Sequence, residues 1–124
     1  MYLPKAEEQL MEFIWKQEKV FMKDLIELYP EPKPASTTLA TLLKRMQDKG
    51  FVGYTLYGNS REYYALVKKE DYFSDQVSGL IKNHFDNSAL QFASFFTNTA
   101  ELSADELESL RKLIDKKLDN LSEK

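Results

Sequence analysis

Ser36-Thr37-Thr38-Leu39-Ala40-Thr41-Leu42-Leu43-Lys44-Arg45-Met46-Gln47-Asp48-Lys49, closed by Gly50, is the stretch whose reading decides the fold. Leu39, Leu42, Leu43 and Met46 stand at i, i+3, i+4 and i+7, so one face of a helix starting at Ser36 or Thr37 and reaching Lys49 is apolar. Its other face carries Thr37, Thr38, Thr41, Lys44 and Arg45. Gly50 suits the residue that ends a helix. Two β-prone runs follow, Phe51 to Tyr57 and Arg61 to Val67, around a Gly-Asn turn in Tyr57-Gly58-Asn59-Ser60-Arg61. A helix followed by a tight basic hairpin is the pattern of a winged helix-turn-helix. Between Lys33 and Lys69 seven Lys/Arg (33, 44, 45, 49, 61, 68, 69) face two acids, Asp48 and Glu62, a charge of +5 in a chain of net -3.

Upstream, the first helix is expected from Pro4 to about Gln17, with Ala6, Leu10 and Ile14, joined by Phe13 or by Met11 and Trp15, on its apolar face. Pro4 fits the first turn, and Glu7 and Glu8 sit where the helix dipole favours anions. Val20, Phe21, Leu25, Ile26 and Leu28 predict a second, shorter helix, stopped near Tyr29 by the stiff turn of Pro30, Pro32 and Pro34. Downstream, Tyr72 or Phe73, Val77, Leu80, Ile81 and His84 or Phe85 form a helical stripe that Asp86-Asn87-Ser88 breaks. A short, very apolar helix with Leu90, Phe92, Ala93, Phe95 and Phe96 comes next. In the last helix Ser103-Ala104-Asp105-Glu106 is a capping box, with Leu102 and Leu107 as its hydrophobic staple. Leu107, Leu110, Leu113 or Ile114, Lys117 or Leu118 and Leu121 continue that helix's inner face.

Charge divides the chain. Residues 1–70 hold eleven Lys/Arg against ten Asp/Glu, whereas 71–124 hold six against ten. The acidic part is therefore a poor surface for a polyanion. A sequence pI near 5.2 does not exclude a local phosphate-binding face, because salt screens charges farther away than about 8 Å. No cysteine is present, which removes disulfides, thiol catalysis and thiolate metal sites and agrees with a reducing cytoplasm. The opening Met1 to Glu8 has no basic leader or apolar signal core, and no apolar run has membrane-spanning length. A cytoplasmic, soluble protein with no membrane insertion is expected.

The third helix combines a packed face with a face of short hydrogen-bonding groups and cations that suits the major groove. Threonine methyls can meet the thymine 5-methyl group, and an arginine can make a bidentate contact to guanine worth about 1–3 kcal/mol of discrimination. Ser36, Thr37, Thr38, Thr41, Lys44 and Arg45 are the candidate recognition-helix residues; Lys44 and Arg45 could equally clamp phosphates. The plain alternative is a solvated helix face that happens to hold threonines. Tyr57, Asn59, Ser60 and Arg61 at the hairpin tip suit a wing lying along a backbone or reaching toward the minor groove, the alternative being a mere turn. Tyr54, Tyr57, Tyr63 and Tyr64 alternate between sheet faces, so half of them belong to the core.

The C-terminal piece is too short and too aromatic to close a core alone. A second copy is the natural cover, and Phe73, Val77, Leu80, Ile81, Phe85, Phe92, Phe95, Phe96, Leu107, Leu110 and Ile114 are the candidate dimerisation residues. The competing view folds these helices back on the N-terminal part. Enzyme signatures are missing: there is no Gly-rich phosphate loop, nucleophile elbow or metal-ligand cluster, and the lone His84 lies on or beside an apolar stripe where a structural role suffices. Neither a metal nor any other cofactor is expected.

Lys5-Ala6-Glu7-Glu8 with Leu10-Met11 and Trp15, Thr38 to Met46, Lys49-Gly50-Phe51-Val52, Tyr63-Tyr64 and Leu102 to Leu107 together resemble the penicillinase-repressor (BlaI/MecI) family. The likeness is strong from 3 to 67 and continues collinearly beyond. It implies a homodimeric transcriptional repressor on palindromic double-stranded operators before β-lactamase or related genes, relieved when a membrane sensor protease triggers cleavage in the dimerisation domain. By position it puts Thr38, Thr41, Lys44 and Arg45 on the recognition helix and Tyr57 to Arg61 on the wing. Pro4 stands where members often have a Ser or Thr cap. The Asn-Phe pair cut in well-known members is absent, the nearest stretch being Ala89-Leu90-Gln91-Phe92-Ala93, and the lack of cysteine excludes the copper-responsive branch.

The expected fold is thus mainly α with a small β-hairpin wing: a winged helix-turn-helix DNA-binding domain at 1–69 and a helical dimerisation domain at 70–124. A different class of function remains, a winged-helix module that binds a protein instead of DNA. Salt dependence separates the two, because only phosphate contacts release counterions.

Overall fold

Leu10, Met11 and Ile14 turn inward from the first helix, α1 (Lys5–Gln17), and Glu7, on the same stripe, goes in with them. The computed structural model describes residues 2–123. Ala6, expected on that inner face, is exposed, because the stripe runs through Leu3, Glu7, Leu10, Met11 and Ile14. After α1, Glu18 adopts a left-handed conformation (φ 66°) and redirects the chain into β1 (Lys19–Phe21). Val20 and Phe21 therefore do not begin the second helix; Val20 is buried opposite Tyr63 in an antiparallel pairing, where a β-branched side chain packs well. The second helix, α2, is only Met22–Leu28, and it ends at Tyr29 before the proline turn, whose Glu31–Pro32 bond is cis.

The third helix, α3 (Ser36–Asp48), buries Leu39, Leu43 and Met46 and leaves Leu42 half-buried. Gly50 (φ 81°) then turns the chain into the hairpin β2 (Val52–Tyr57) and β3 (Ser60–Ala65). β3 lies in the centre of a three-stranded antiparallel sheet of order β1-β3-β2. The pair Tyr57 and Ser60 leaves Gly58-Asn59 as a two-residue loop. Gly58 takes the positive φ (60°) and Asn59 does not, as in a type II′ turn with glycine first.

The fourth helix, α4 (Lys69–His84), delivers Tyr72 to this core. The Tyr72 hydroxyl donates to Glu8 Oε2 (2.8 Å) and accepts from the Leu3 amide (3.1 Å), while Trp15 Nε1 donates to the Val67 carbonyl (2.8 Å). Burial pushes the Tyr72 phenol above its usual pKa, and the Glu8 carboxylate adds to the rise. Buried Glu7 pairs with Lys49 at the end of α3. The core of this unit runs from Leu3 through Val52 and Tyr63 to Tyr72.

The chain divides into two compact units, Met1–Val77 and Ser78–Lys124. The second contains the end of α4, then α5 (Ala89–Thr99) and α6 (Ala104–Ser122). Asp86 and Asn87 both adopt left-handed φ (54° and 56°), and the amides of Asn87 and Ser88 bond back to the Ile81 and Phe85 carbonyls, closing α4. Ser88 caps α5 by accepting from the Gln91 amide. Ser103 and Glu106 cap α6 reciprocally, each amide donating to the other's side chain at 3.1 Å, so the capping box read from the sequence forms. Phe85, Phe92, Phe95 and Phe96 cluster, with ring centroids 5.1–6.4 Å apart for the touching pairs.

Candidate nucleic-acid interface

A helical wheel of α3 puts Thr37, Thr41, Lys44 and Asp48 opposite the buried Leu39, Leu43 and Met46, with Thr38 and Arg45 on one flank and Ser36 and Ala40 on the other. All of these polar residues are exposed. The Thr41 hydroxyl donates to the Thr37 carbonyl one turn back (3.0 Å), which uses its one O–H and leaves its oxygen able only to accept. Lys44 Nζ meets Asp48 Oδ1 at 2.8 Å, with both side chains mostly in water. Such an exposed i, i+4 pair is worth about 0.3–0.5 kcal/mol, so an incoming phosphate can exchange with it at little cost. Arg45 enters no ion pair among the described residues.

The +5 of the Lys33–Lys69 segment is only partly available to a ligand. Lys33 Nζ donates to the Glu27 and Tyr29 carbonyls (3.1 and 2.9 Å), neutralising the open end of α2. Lys49 is committed to buried Glu7, and Lys69 pairs with Glu12 at 3.0 Å. Arg45, Arg61 and Lys68 remain outside ion pairs among the described residues, with Lys44 loosely held.

At the wing, Tyr57, Asn59, Ser60 and Arg61 are exposed around the Gly58-Asn59 loop. Of the four hairpin tyrosines Tyr63 is buried and Tyr64 half-buried, while Tyr54 and Tyr57 are exposed. The Arg61 guanidinium lies over the Tyr54 ring, 4.2 Å from its centroid. A cleft of about 790 Å³ opens beside it, walled by Asn59, Ser60 and Arg61 of the wing, Phe21 and Lys23 before and within α2, and Ala40 of α3. Sequence patterning gives Lys23 no part in this site and Tyr54 no role beyond the sheet. Register alone could have found Tyr54, since a two-residue turn sets Arg61 opposite Leu56 and diagonal to Tyr54 on one sheet face.

The candidate dimerisation residues fall on both units. Phe73 lies within the first, its ring 5.9 Å from Trp15 and 5.0 Å from Tyr72, and Val77 is exposed at that unit's end. In the second unit Leu80, Phe95, Phe96, Leu107 and Ile114 are exposed, and Ile81, Phe85, Phe92 and Leu110 are half-covered. His84, in the last turn of α4, is exposed. Among the described residues no group of acids and histidines is arranged to hold a metal ion.

The model of the penicillinase repressor family matches residues 3–116. The chain belongs to that family. It is 28% identical over 113 residues to the methicillin resistance regulatory protein MecI of Staphylococcus aureus (strain N315), covering 90% of this chain and 92% of MecI. To MecI of Mammaliicoccus sciuri it is 27% identical over the same length and shares. Among solved structures, the DNA-binding domain of the repressor BlaI is similar with 27% identity and a TM-score of 0.51, covering 56% of this chain and 87% of that domain. The family resemblance read from the residues therefore holds, as does the winged-helix fold, with one strand more than the hairpin expected. The protein is a DNA-binding repressor of the penicillinase repressor type and not an enzyme. No described helix is long and apolar enough to cross a membrane.

Proposed function

We propose that this chain works in the cytoplasm as a homodimeric repressor, reading a palindromic operator with α3 and the wing of each copy. The support that carries this is the α3 surface: threonine hydroxyls, Lys44 and Arg45 stand exposed opposite a buried leucine face, in a chain of a repressor family. Thr37, Thr38, Thr41 and Arg45 meet base edges, Lys44 and Ser36 meet phosphates, and Tyr57, Asn59, Ser60 and Arg61 follow the adjoining backbone. The first unit, 1–77, is the DNA-binding domain and the second, 78–124, the dimerisation domain, a boundary eight residues beyond the expected 69/70. The similarity to a methicillin resistance regulatory protein supports β-lactamase-type or related target genes.

Two copies would set two recognition helices on half-sites one or more helical turns apart. Cleavage in the second unit, prompted by a membrane sensor protease, would halve the contacts and release the operator. The Asn-Phe pair is absent, so a cut would fall at another bond. The test is binding of purified protein to DNA from upstream of its own gene and neighbouring genes, against scrambled DNA of equal length, over a salt series. Tight, sequence-dependent and steeply salt-sensitive binding is expected. Equal or no binding to both DNAs at every salt would refute operator recognition.

A further inference from the structure

We propose that Tyr54 is a positioning residue for DNA binding: its ring holds the Arg61 guanidinium in the orientation that meets the sugar-phosphate backbone. The inference rests on the reading that Arg61 contacts DNA. An arginine at an exposed hairpin tip is free to sample many rotamers, and binding must then order it. Here the guanidinium carbon already sits 4.2 Å from the Tyr54 ring centroid. The Tyr54 ring in turn is 6.0 Å from that of Tyr63, which is buried in the first unit's core. Arg61 is thus tied to the core through two rings, across the diagonal Tyr54–Arg61 and the direct pair Tyr54–Tyr63 on one sheet face.

What distinguishes this hold from an ion pair is what it leaves free. A guanidinium donates in its own plane, so a ring against its face restrains it and consumes no N–H. Glu62, the neighbouring acid, projects from the opposite sheet face, and among the described residues no carboxylate pairs with Arg61. Arg61 lines the cleft that the wing shares with Ala40 of α3, where the acid on the wall, Asp24 of α2, forms no ion pair with it. A carboxylate in place of Tyr54 would fix the cation equally well but would compete with phosphate.

The experiment measures affinity for a fluorescein-labelled duplex of mixed sequence over a series of salt concentrations from low salt upward, for the full chain and for Tyr54→Phe, Tyr54→Leu, Arg61→Ala and Tyr54→Leu/Arg61→Ala. Tyr54→Phe keeps the ring and should match the parent. Tyr54→Leu should weaken binding about two- to five-fold, the factor expected of an exposed cation–π contact, and should add nothing once Arg61 is gone. Tyr54→Ile, a β-former, gives the same reading if leucine loosens the hairpin. An equal loss from Tyr54→Leu with and without Arg61, or no loss in either, overturns the positioning role. A loss in Tyr54→Phe as large as in Tyr54→Leu overturns it too, by giving the hydroxyl a contact of its own. If Arg61→Ala leaves affinity and salt dependence unchanged, the wing contact itself falls and the role of Tyr54 with it.

Discussion

Lys49 caps the end of α3, yet its charge is directed into the protein, where it neutralises a Glu7 side chain that is only 5% exposed. A carboxylate so placed needs a partner, since removing one member of a buried pair typically costs about 3–5 kcal/mol. Lys49 is itself about a third in water (32%), so a smaller cost is expected. Lys49→Met should lower unfolding stability by about 2 kcal/mol in urea titration. If stability is unchanged while DNA affinity drops, Lys49 is a phosphate ligand and not a strut. Glu7 illustrates a limit of reading charge from sequence. Its place in the first turn of α1 explains an acid through the helix dipole alone, and only the fold reveals that the same position turns inward toward a residue 42 positions away.

Elements with an internal period or a local cap were legible; those defined by a remote partner were not. The leucine and methionine spacing gave α3 to within a residue, and Ser103 with Glu106 announced the start of α6. β1 was missed because three residues are too few to display alternation, and its strand character comes from pairing with β3. The two-residue turn was readable, but its consequence for Tyr54 and Arg61 required counting the register across it. At α6 the cap makes a direct prediction. Ser103→Ala should destabilise the second unit by about 1 kcal/mol, seen as faster amide exchange in the first turn of α6. The bond from the Ser103 amide, then that from its hydroxyl, holds the Glu106 carboxyl below its ordinary pKa. A lowered folded value means that this carboxylate's contribution is complete above the unfolded pKa and is lost as pH falls through the folded one. Protection of that turn should therefore fade on acidification below the usual carboxylate range, and an unaltered profile would contradict the cap.

At the scale of the whole molecule the two units differ in how well they cover themselves. The first buries fourteen apolar side chains. In the second no described residue is buried, and Leu90, Leu113, Ile114, Leu118 and Leu121 are all more than half exposed. The shift from basic to acidic composition suggested a division near 69/70, whereas the compact units divide after Val77, because α4 carries Tyr72 and Phe73 into the first core before it leaves. No periodicity announces where a continuous helix passes from one unit to the next. An uncovered apolar face on α6 supports a second copy as its cover. Sedimentation equilibrium should give a dimer for the full chain, and Ile114→Asp/Leu118→Asp should give a folded monomer with much weaker operator affinity. A parent chain that sediments as a monomer at micromolar concentration would remove the dimer.

The proposed work of the molecule nevertheless rests on one helix face, and one measurement tests it most directly: operator affinity and its salt slope for Lys44→Ala/Arg45→Ala beside the parent chain. Loss of the Arg45 base contact and the Lys44 phosphate contact should abolish sequence-dependent binding and flatten the slope of log affinity against log salt by about one, with the fold and oligomeric state unchanged. Equal affinity and equal slope in the two proteins would mean that α3 does not read the DNA.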